Sequence, residues 1–469
     1  MSRWRLAVVA SVAGFALPGC VDVPRSPPQE RALEPASVGL SGPDYLAPDE
    51  DWWRAFDDPQ LDRFVQDALT RNPGLAGALA RVRSALAQAE AAGTSSDPQV
   101  SFDAEAYRQR VSEHYIFPPP FAGSTIWQGR LGVNLGWNLD FWGRQAALIE
   151  QSQRLAEAER FRAVSASLLL SSAVAQSYVE FVRARRVEEV TEQAATQRRH
   201  IVELARQRVE AGLDTEVELR GAEGRLAQIG VEREQARLAQ VSATHALAAL
   251  TGHGAAGFAA PTAPQLDLDR ALALPEALPA NLLARRPDVA AARSRVLAAQ
   301  AGSTAAAASF YPDLNLLAFA GFEAIGLDEL LDYGSRSLSI GPAIHLPIFD
   351  GGRLRAEARE AGADWDAEVA AYNESVLRAV REVVDQVSRL QSLERQLADL
   401  QRSLDASEGA YRLAEQRYSA GLASYLTVLN AETQVLDARR LRVQLLADRT
   451  LARVALLVAL GGNFQETTG

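Results

Sequence analysis

The chain has no lysine: all 48 of its basic residues are arginine, which we read as genome composition. Against 59 Asp and Glu they leave a net charge of −11. With no basic patch, nothing suggests nucleic acid as a partner. There is one cysteine, Cys20, so no internal disulfide can form. The five histidines (His114, His200, His245, His253 and His345) show no metal-ligand spacing. No nucleophile elbow and no P-loop is present, so energy must come from a partner. "GHGAAG" (252–257) spells G-x-G-x-x-G, but it follows a helix and lacks the βαβ context of a dinucleotide site. An enzyme is not expected, nor a cofactor or metal. Long apolar runs are also missing. The best one, Leu6 to Leu17, is about a dozen residues, where a spanning helix needs roughly 20.

That short run sits in "MSRWRLAVVASVAGFALPGC", behind Arg3 and Arg5, and reads as a secretory signal over 1–19. "LPGC" resembles the lipobox of bacterial lipoproteins, which implies cleavage before Cys20 and covalent lipid on it. Two or more acyl chains make a stable anchor. Val21 in place of an aspartate favours the outer membrane within that class. Residues 20–50 carry Pro24, Pro27, Pro28, Pro35, Pro43 and Pro48 and read as lipid anchor and extended tether.

The rest is written twice. "TRNPGLAGALARVRSALAQAEAAG" (70–93) parallels "ARRPDVAAARSRVLAAQAG" (284–302), and "SDPQVSF" (96–102) parallels "FYPDLNL" (310–316), both offset by 214. "DFWGR" (140–144) then parallels "FDGGR" (349–353), and "RVEAGL" (208–213) parallels "RYSAGL" (417–422), both offset by 209. The five extra residues of the first copy fall in "HYIFPPPFAGST" (114–125), which should be a loop.

On either side of that loop the apolar residues alternate, as in strands. Val100, Phe102, Ala104 and Ala106 share one face, as do Trp127, Leu131, Val133, Leu135, Trp137 and Leu139. The second copy repeats this with Leu314, Leu316, Ala318, Ala320 and Phe322, then Leu338, Ile340, Ile344, Leu346 and Ile348. Each copy therefore contributes one hairpin, over 98–139 and 312–348. Elsewhere the pattern is helical. Arg144 to Ala211 contains neither proline nor glycine, and from Val369 to Leu404 apolar residues recur every 3.5 residues, a coiled-coil spacing. A glycine behind each long helix ends it, and periodicity resumes beyond. The expectation is two antiparallel helical hairpins, 144–250 and 353–460, with tips at Gly212 and Gly421. The first repeat spans 51–250, a linker 251–285, the second repeat 286–460 and a tail 461–469. Four strands cannot close a membrane barrel; three chains would supply twelve.

With the lipobox, "DWWRAFDDPQLD" (51–62), "WNLDFWGR" (137–144), "RRPDVAAARSRVLAAQAG" (285–302), "FYPDLNL" and "QRYSAGLASYLTVLNAE" (416–432), the chain resembles the outer-membrane efflux proteins of the TolC type. It resembles particularly the lipoprotein branch that serves resistance–nodulation–division (RND) pumps. The resemblance covers essentially the whole chain. It implies an α+β membrane tunnel, a homotrimer with a twelve-stranded outer-membrane β-barrel and a long periplasmic α-barrel. An equatorial region, from about 250–285 and the stretch after 455, is implied as well. Its partners would be outer-membrane lipid, a periplasmic membrane-fusion adaptor and an inner-membrane RND pump.

Carried over by position, the adaptor-contacting tips are Gly212, Leu213, Gly421, Leu422 and Ser424. The periplasmic aperture is Glu218, Tyr418, Leu426, Thr427 and Asn430. Family members commonly place carboxylates where this chain has Thr427 and Asn430, so Glu218, the repeat partner of Thr427, would supply a thinner acidic ring. If the apolar strand faces meet lipid, Asp103, Glu105, Asp313 and Glu323 point into the lumen, and Trp127 and Trp137 become interfacial anchors. A duct for type I protein secretion or metal-ion efflux uses the same fold. A lipid-anchored coiled-coil scaffold is the reading of a different class, and it has no need of alternating strands.

Overall fold

The computed structural model describes residues 29–34, 51–114, 116, 118–254, 258–262, 264–269 and 286–462. Cys20, the signal, and much of the tether, linker and tail lie outside the described residues. The described elements run α1 (Pro59–Arg71), α2 (Pro73–Thr94), β1 (Gln99–Arg110), β2 (Thr125–Asn138), α3 (Arg144–Glu210) and α4 (Glu216–Leu250). The second copy follows with α5 (Pro287–Ala308), β3 (Asp313–Ile325), β4 (Arg336–His345), α6 (Arg353–Ser419) and α7 (Tyr425–Ala459). Corresponding helices have equal lengths. α2 and α5 are 22 residues each, α3 and α6 are 67, and α4 and α7 are 35. At ~1.5 Å per residue each 67-residue helix is about 100 Å long. No described helix is both long and apolar enough to cross a membrane.

Short signals start and stop these helices. Asp140 accepts the Ala146 amide at 2.8 Å, and Asp350 accepts those of Gly352 and Leu354 at 2.9 and 2.8 Å. Orphan donors of the first turn are thereby satisfied, which is the use of the acids in "DFWGR" and "FDGGR". At the far ends Gly212 and Gly421 have φ of 70° and 73°, where a Cβ would be strained. The amides of Leu213 and Leu422 bond back to the carbonyls of Arg208 and Arg417, closing matched Schellman turns. Gly252 and Gly461 end α4 and α7 in the same way, so the glycine-rich "GHGAAG" opens as a helix stop. The hairpins are antiparallel: Glu192 meets Arg233 and Glu188 meets Arg237, a pairing centred on Gly212. The coiled-coil stripe is buried at Val369, Val376, Val383, Leu390 and Leu404.

By contacts the chain divides into two compact units, each drawing on both copies. One takes residues 1–32, 82–159 and 292–372; the other takes 33–81, 160–291 and 373–469. The first holds a four-stranded antiparallel sheet in the order β1-β2-β3-β4. Pairing is unbroken, with Phe102, Val133, Ala320 and Leu338 in one row. One correction falls at its end. Leu346 and Ile348 lie beyond β4, whose ladder stops at the pair Asp313–His345. Pro347 has no amide to continue it. The fourteen residues between β1 and β2 exceed the ten between β3 and β4, which accommodates the insertion.

The second unit is held by the aromatic cluster of "DWW…FDDP". Trp52, Trp53 and Phe56 are buried with Phe64, Tyr178 and Leu247. Leu266 and Leu268 of the linker join the same core. Asp58 is its polar centre. Its Oδ1 accepts the amides of Gln60 and Leu61, capping α1, and its Oδ2 accepts the Tyr178 hydroxyl and the amides of Gln265 and Leu266, each at 2.8 Å. Burial, and then the bond to Asp58, raises the Tyr178 hydroxyl far above its ordinary pKa. Asp58→Ala leaves these buried donors unmatched. It should lower stability by about 3–5 kcal/mol, read as a falling thermal midpoint, while Asp58→Asn should cost less.

Candidate functional site

The two glycine turns lie among side chains that join the hairpins. Arg208, in the last turn of α3, donates from Nε to Asp214 Oδ2 at 2.8 Å and from Nη2 to Asp214 Oδ1 at 3.3 Å. Its Nη1 donates to the Tyr418 carbonyl at 3.0 Å, and its guanidinium lies 4.6 Å over the Tyr418 ring. The Tyr418 hydroxyl donates to Asp214 Oδ2 at 2.6 Å. One carboxylate thus joins an arginine of the first hairpin to a tyrosine of the second. The Arg208 bonds hold the Asp214 carboxyl below its usual range against the effect of burial. Burial and the bond to Asp214 push the Tyr418 hydroxyl well up.

The placement corrects one expected role. Tyr418 is 0 % exposed, packed among Ile201, Ala205, Leu219 and Val428, so it cannot line an aperture in this conformation. Glu218 is occupied as well. It accepts the Thr215 amide at 3.0 Å and a close bond from the Thr215 hydroxyl, completing a capping box at the start of α4. That Thr215 hydroxyl, followed by backbone amides, holds its pKa below the ordinary carboxylate value. At α7 the N-cap Ser424 makes no side-chain cap bond, and its hydroxyl lies 3.2 Å from that of Thr427. Leu426, Thr427 and Asn430 are exposed on α7. Gly212, Leu213, Gly421, Leu422 and Ser424 are exposed at the turns, with Leu422 at 73 %.

Arg208 and Asp214 are the residues that sequence reasoning missed. The signal was present: after the shared "GL" the first copy continues with Asp214 and the second with Ala423. A buried pair between α3 and α7 was also missed. Arg198 Nε donates to Glu432 Oε1 at 3.2 Å, their side chains 7 % and 4 % exposed. Burial raises the Glu432 carboxyl, and Arg198 pulls it down.

In the sheet, register fixes which side chains share a face. Asp103, Glu105, Asp313 and Glu323 fall on one side, with Ser101, Arg130, Asn134 and Asn138. Arg130 sits in the row between Glu105 and Glu323 and pairs with Glu323 at 3.1 Å. Its guanidinium covers Phe319 at 4.3 Å, and that ring lies flat over Gly132 and Gly321. Asp103 accepts from Ser101 and Asn134, and Asp313 from Asn138 at 2.9 Å. The opposite face is apolar and bare, with Leu338 81 % and Ile340 77 % exposed. Its charges, Arg108, Arg110 and Arg336, sit at the loop end. Trp127 and Trp137 lie on that face ten residues apart. At ~3.3 Å per residue and a tilt of about 40° this is roughly 25 Å, the height of an outer-membrane apolar band.

Among the described residues no three His, Cys, Asp or Glu side chains come together as a metal site. A duplicated pair of helical hairpins and a sheet with one apolar and one polar face suit a membrane channel. The comparisons agree. The profile of the family described as "Outer membrane efflux protein" matches residues 64–253 and 278–462. The chain belongs to that family.

It is 31% identical over 463 residues to the multidrug resistance outer membrane protein MdtP of Shigella flexneri, covering 95% of this chain and 94% of that protein. It is 34% identical to the fusaric acid resistance protein FusA of Burkholderia cepacia over 77% of this chain and 70% of that one. Among solved structures, the outer membrane protein VceC of Vibrio cholerae superposes with a TM-score of 0.83 at 34% identity. That match covers 89% of this chain and 100% of the other. The protein is an outer-membrane efflux channel, a passive duct.

Proposed function

We propose that three copies of this chain form one closed exit duct. In this reading it is anchored by lipid on Cys20 and opened at its periplasmic end by a membrane-fusion adaptor and an inner-membrane RND pump. The observation that carries this reading is the sheet. Among the described residues β1 and β4 are edges without partners, and one face is apolar except at its loop end. Open edges cannot stand in hydrocarbon, where every amide and carbonyl needs a bond. Edge-to-edge closure of three sheets gives twelve strands with no edge. The face bearing Asp103, Glu105, Asp313 and Glu323 then becomes the lumen.

At the other end, exposed Leu213 and Leu422 on the glycine turns offer an adaptor apolar knobs. Leu426, Thr427 and Asn430 line the aperture with little charge, since Glu218 serves its helix cap. The cargo is small toxic compounds, as the names of MdtP and FusA support.

The test is the detergent-corrected mass of the mature, membrane-extracted protein by light scattering. A trimer is the expected result. A stable monomer would leave open edges in lipid and remove the duct.

A further inference from the structure

Every acid on the four strands lies on the polar face of the sheet, whereas the charges of the apolar face are all arginine. The internal repeat puts those arginines at one height. An offset of 214 carries Arg108 to Phe322, and an offset of 209 carries Trp127 to Arg336. The register pairs Arg108 with Trp127 and Phe322 with Arg336, so the two copies match. Each sets one arginine against one aromatic side chain at the loop end of its hairpin.

These guanidinium groups are little used by the protein itself. Arg108 is exposed and has no ion-pair partner among the described residues. Arg336 rests on the Tyr333 ring and donates from Nε to the Tyr333 carbonyl at 2.8 Å, which leaves both Nη groups unspent among the described residues. Glu113 lies 3.6 Å from Arg110, but their side chains are 63 % and 71 % exposed, so solvent weakens that pair. Arginine on a lipid face is costly at the bilayer midplane and nearly free at its boundary. At that boundary, phosphate is the group that a planar guanidinium fits.

We propose that these arginines, brought together at the seams between copies, bind a phosphate-bearing glycolipid of the outer leaflet. This rests on the reading that three sheets close edge to edge in the outer membrane. Each seam joins β4 of one copy to β1 of the next, and the repeat supplies its register through the internal equivalent, β2–β3. There Gly129 pairs with Ala324. The offsets of 209 and 214 carry that pair onto Leu338 and Arg110 of the partner subunit. Arg336, two residues from Leu338, is then a diagonal neighbour of Arg110 of the partner subunit, roughly 7 Å away. Arg108 of the partner subunit follows two residues on, along the same face. One chain alone cannot gather the three, because β2 and β3 separate β1 from β4. Like charges so close repel, and a phosphate among them turns that cost into attraction. Leu338 and Ile340, 81 % and 77 % exposed, continue β4 towards the apolar band and receive the acyl chains.

Equilibrium binding of fluorescently labelled lipid A to the full-length mature protein in a neutral detergent tests this. The unaltered protein should hold lipid A at least about tenfold more tightly than its fully dephosphorylated form, and added NaCl should narrow the preference. The triple variant Arg108→Gln, Arg110→Gln, Arg336→Gln should lose the preference. The triple variant Arg108→Lys, Arg110→Lys, Arg336→Lys keeps the charge and should retain most of it. Equal binding of the two lipids by the unaltered protein, or a preference unmoved in the glutamine variant, would overturn the site. Displacement of lipid A by millimolar inorganic phosphate would mean a site for the free anion and overturn the lipid.

The seam is tested separately, in a chain whose one native cysteine is Cys20. The double variant Leu338→Cys, Arg110→Cys should be joined into covalent dimers and trimers by a short bismaleimide. The double variant Leu338→Cys, Val100→Cys, with its thiols far apart along the strands, should not, and each single variant controls for Cys20. Light scattering of the same samples separates the two readings. A trimer without cross-links would overturn the seam alone, while a monomer would overturn the seam and the duct together.

Discussion

Asp214→Ala should raise the single-channel conductance of the reconstituted protein several-fold. Asp214 is the shared acceptor for Arg208 and Tyr418, and the side chains of Arg208 and Asp214 are 11 % and 13 % exposed, so solvent screens the pair little. Removing the acceptor strands a guanidinium and a buried hydroxyl, at a cost of about 2–3 kcal/mol to the joined tips. That shifts the balance between joined and separated hairpins by roughly 30- to 150-fold. Tyr418→Phe removes one hydrogen bond and keeps the ring under Arg208, so it should shift the balance only by about fivefold.

The pH dependence has a definite sign. Arg208 depresses the Asp214 carboxyl, so its contribution is fully present above the ordinary value of 3.8 and is lost as pH falls through the depressed value. Conductance should therefore stay flat from neutrality to about pH 4 and rise only in stronger acid. Planar-bilayer recordings of the two variants across that range would check both statements. An Asp214→Ala channel with unaltered conductance would mean that the tips are held by packing alone.

Gly321→Ala should sharply reduce assembly, while Gly136→Ala should be silent, although both face the polar side of the sheet. A Cβ on Gly321 would sit 2.2 Å from the Leu131 carbonyl oxygen and 2.6 Å from the Gly132 Cα. Backbone cannot retreat there without breaking the β2–β3 ladder. A Cβ on Gly136 has its nearest neighbour at 3.9 Å, in ordinary contact. Overpacking typically costs about 1–3 kcal/mol where side chains give way, and more where the obstacle is backbone. With three chains closing one barrel the cost is incurred three times. The measurement is the amount of oligomer in outer-membrane fractions by unheated gel electrophoresis. Loss of about tenfold is expected for Gly321→Ala and none for Gly136→Ala.

Much of the fold is legible without coordinates because its signals are local or periodic. The glycines at 212 and 421, the spacing from Val369 to Leu404 and the alternation from Val100 to Ala106 each act within a few residues of themselves. What escapes is where two distant segments meet. Position carried over from the family resemblance puts Tyr418 in an aperture lining. Its hydroxyl is instead satisfied by Asp214, 204 residues away in sequence. Glu218 reads as an aperture acid by position, because a carboxylate on a helix is silent about what it bonds. A Thr three residues earlier is the mark of a capping box, and that local signal names the bond. The end of β4 was misjudged because Leu346 and Ile348 keep the alternation past a proline that cannot keep the ladder.

The equal helix lengths of the two copies carry a consequence for how such a chain can change. Sequence between the copies has drifted until only short phrases still match, yet 67 has stayed 67 and 35 has stayed 35. Length is the inherited quantity here, a gauge that side-chain substitution leaves untouched. An insertion in α3 alone would put its turn out of level with the other and slide Arg208 away from Tyr418. Viable changes of length must therefore arrive in all four arms together, which makes the span of this duct far harder to alter than its lining.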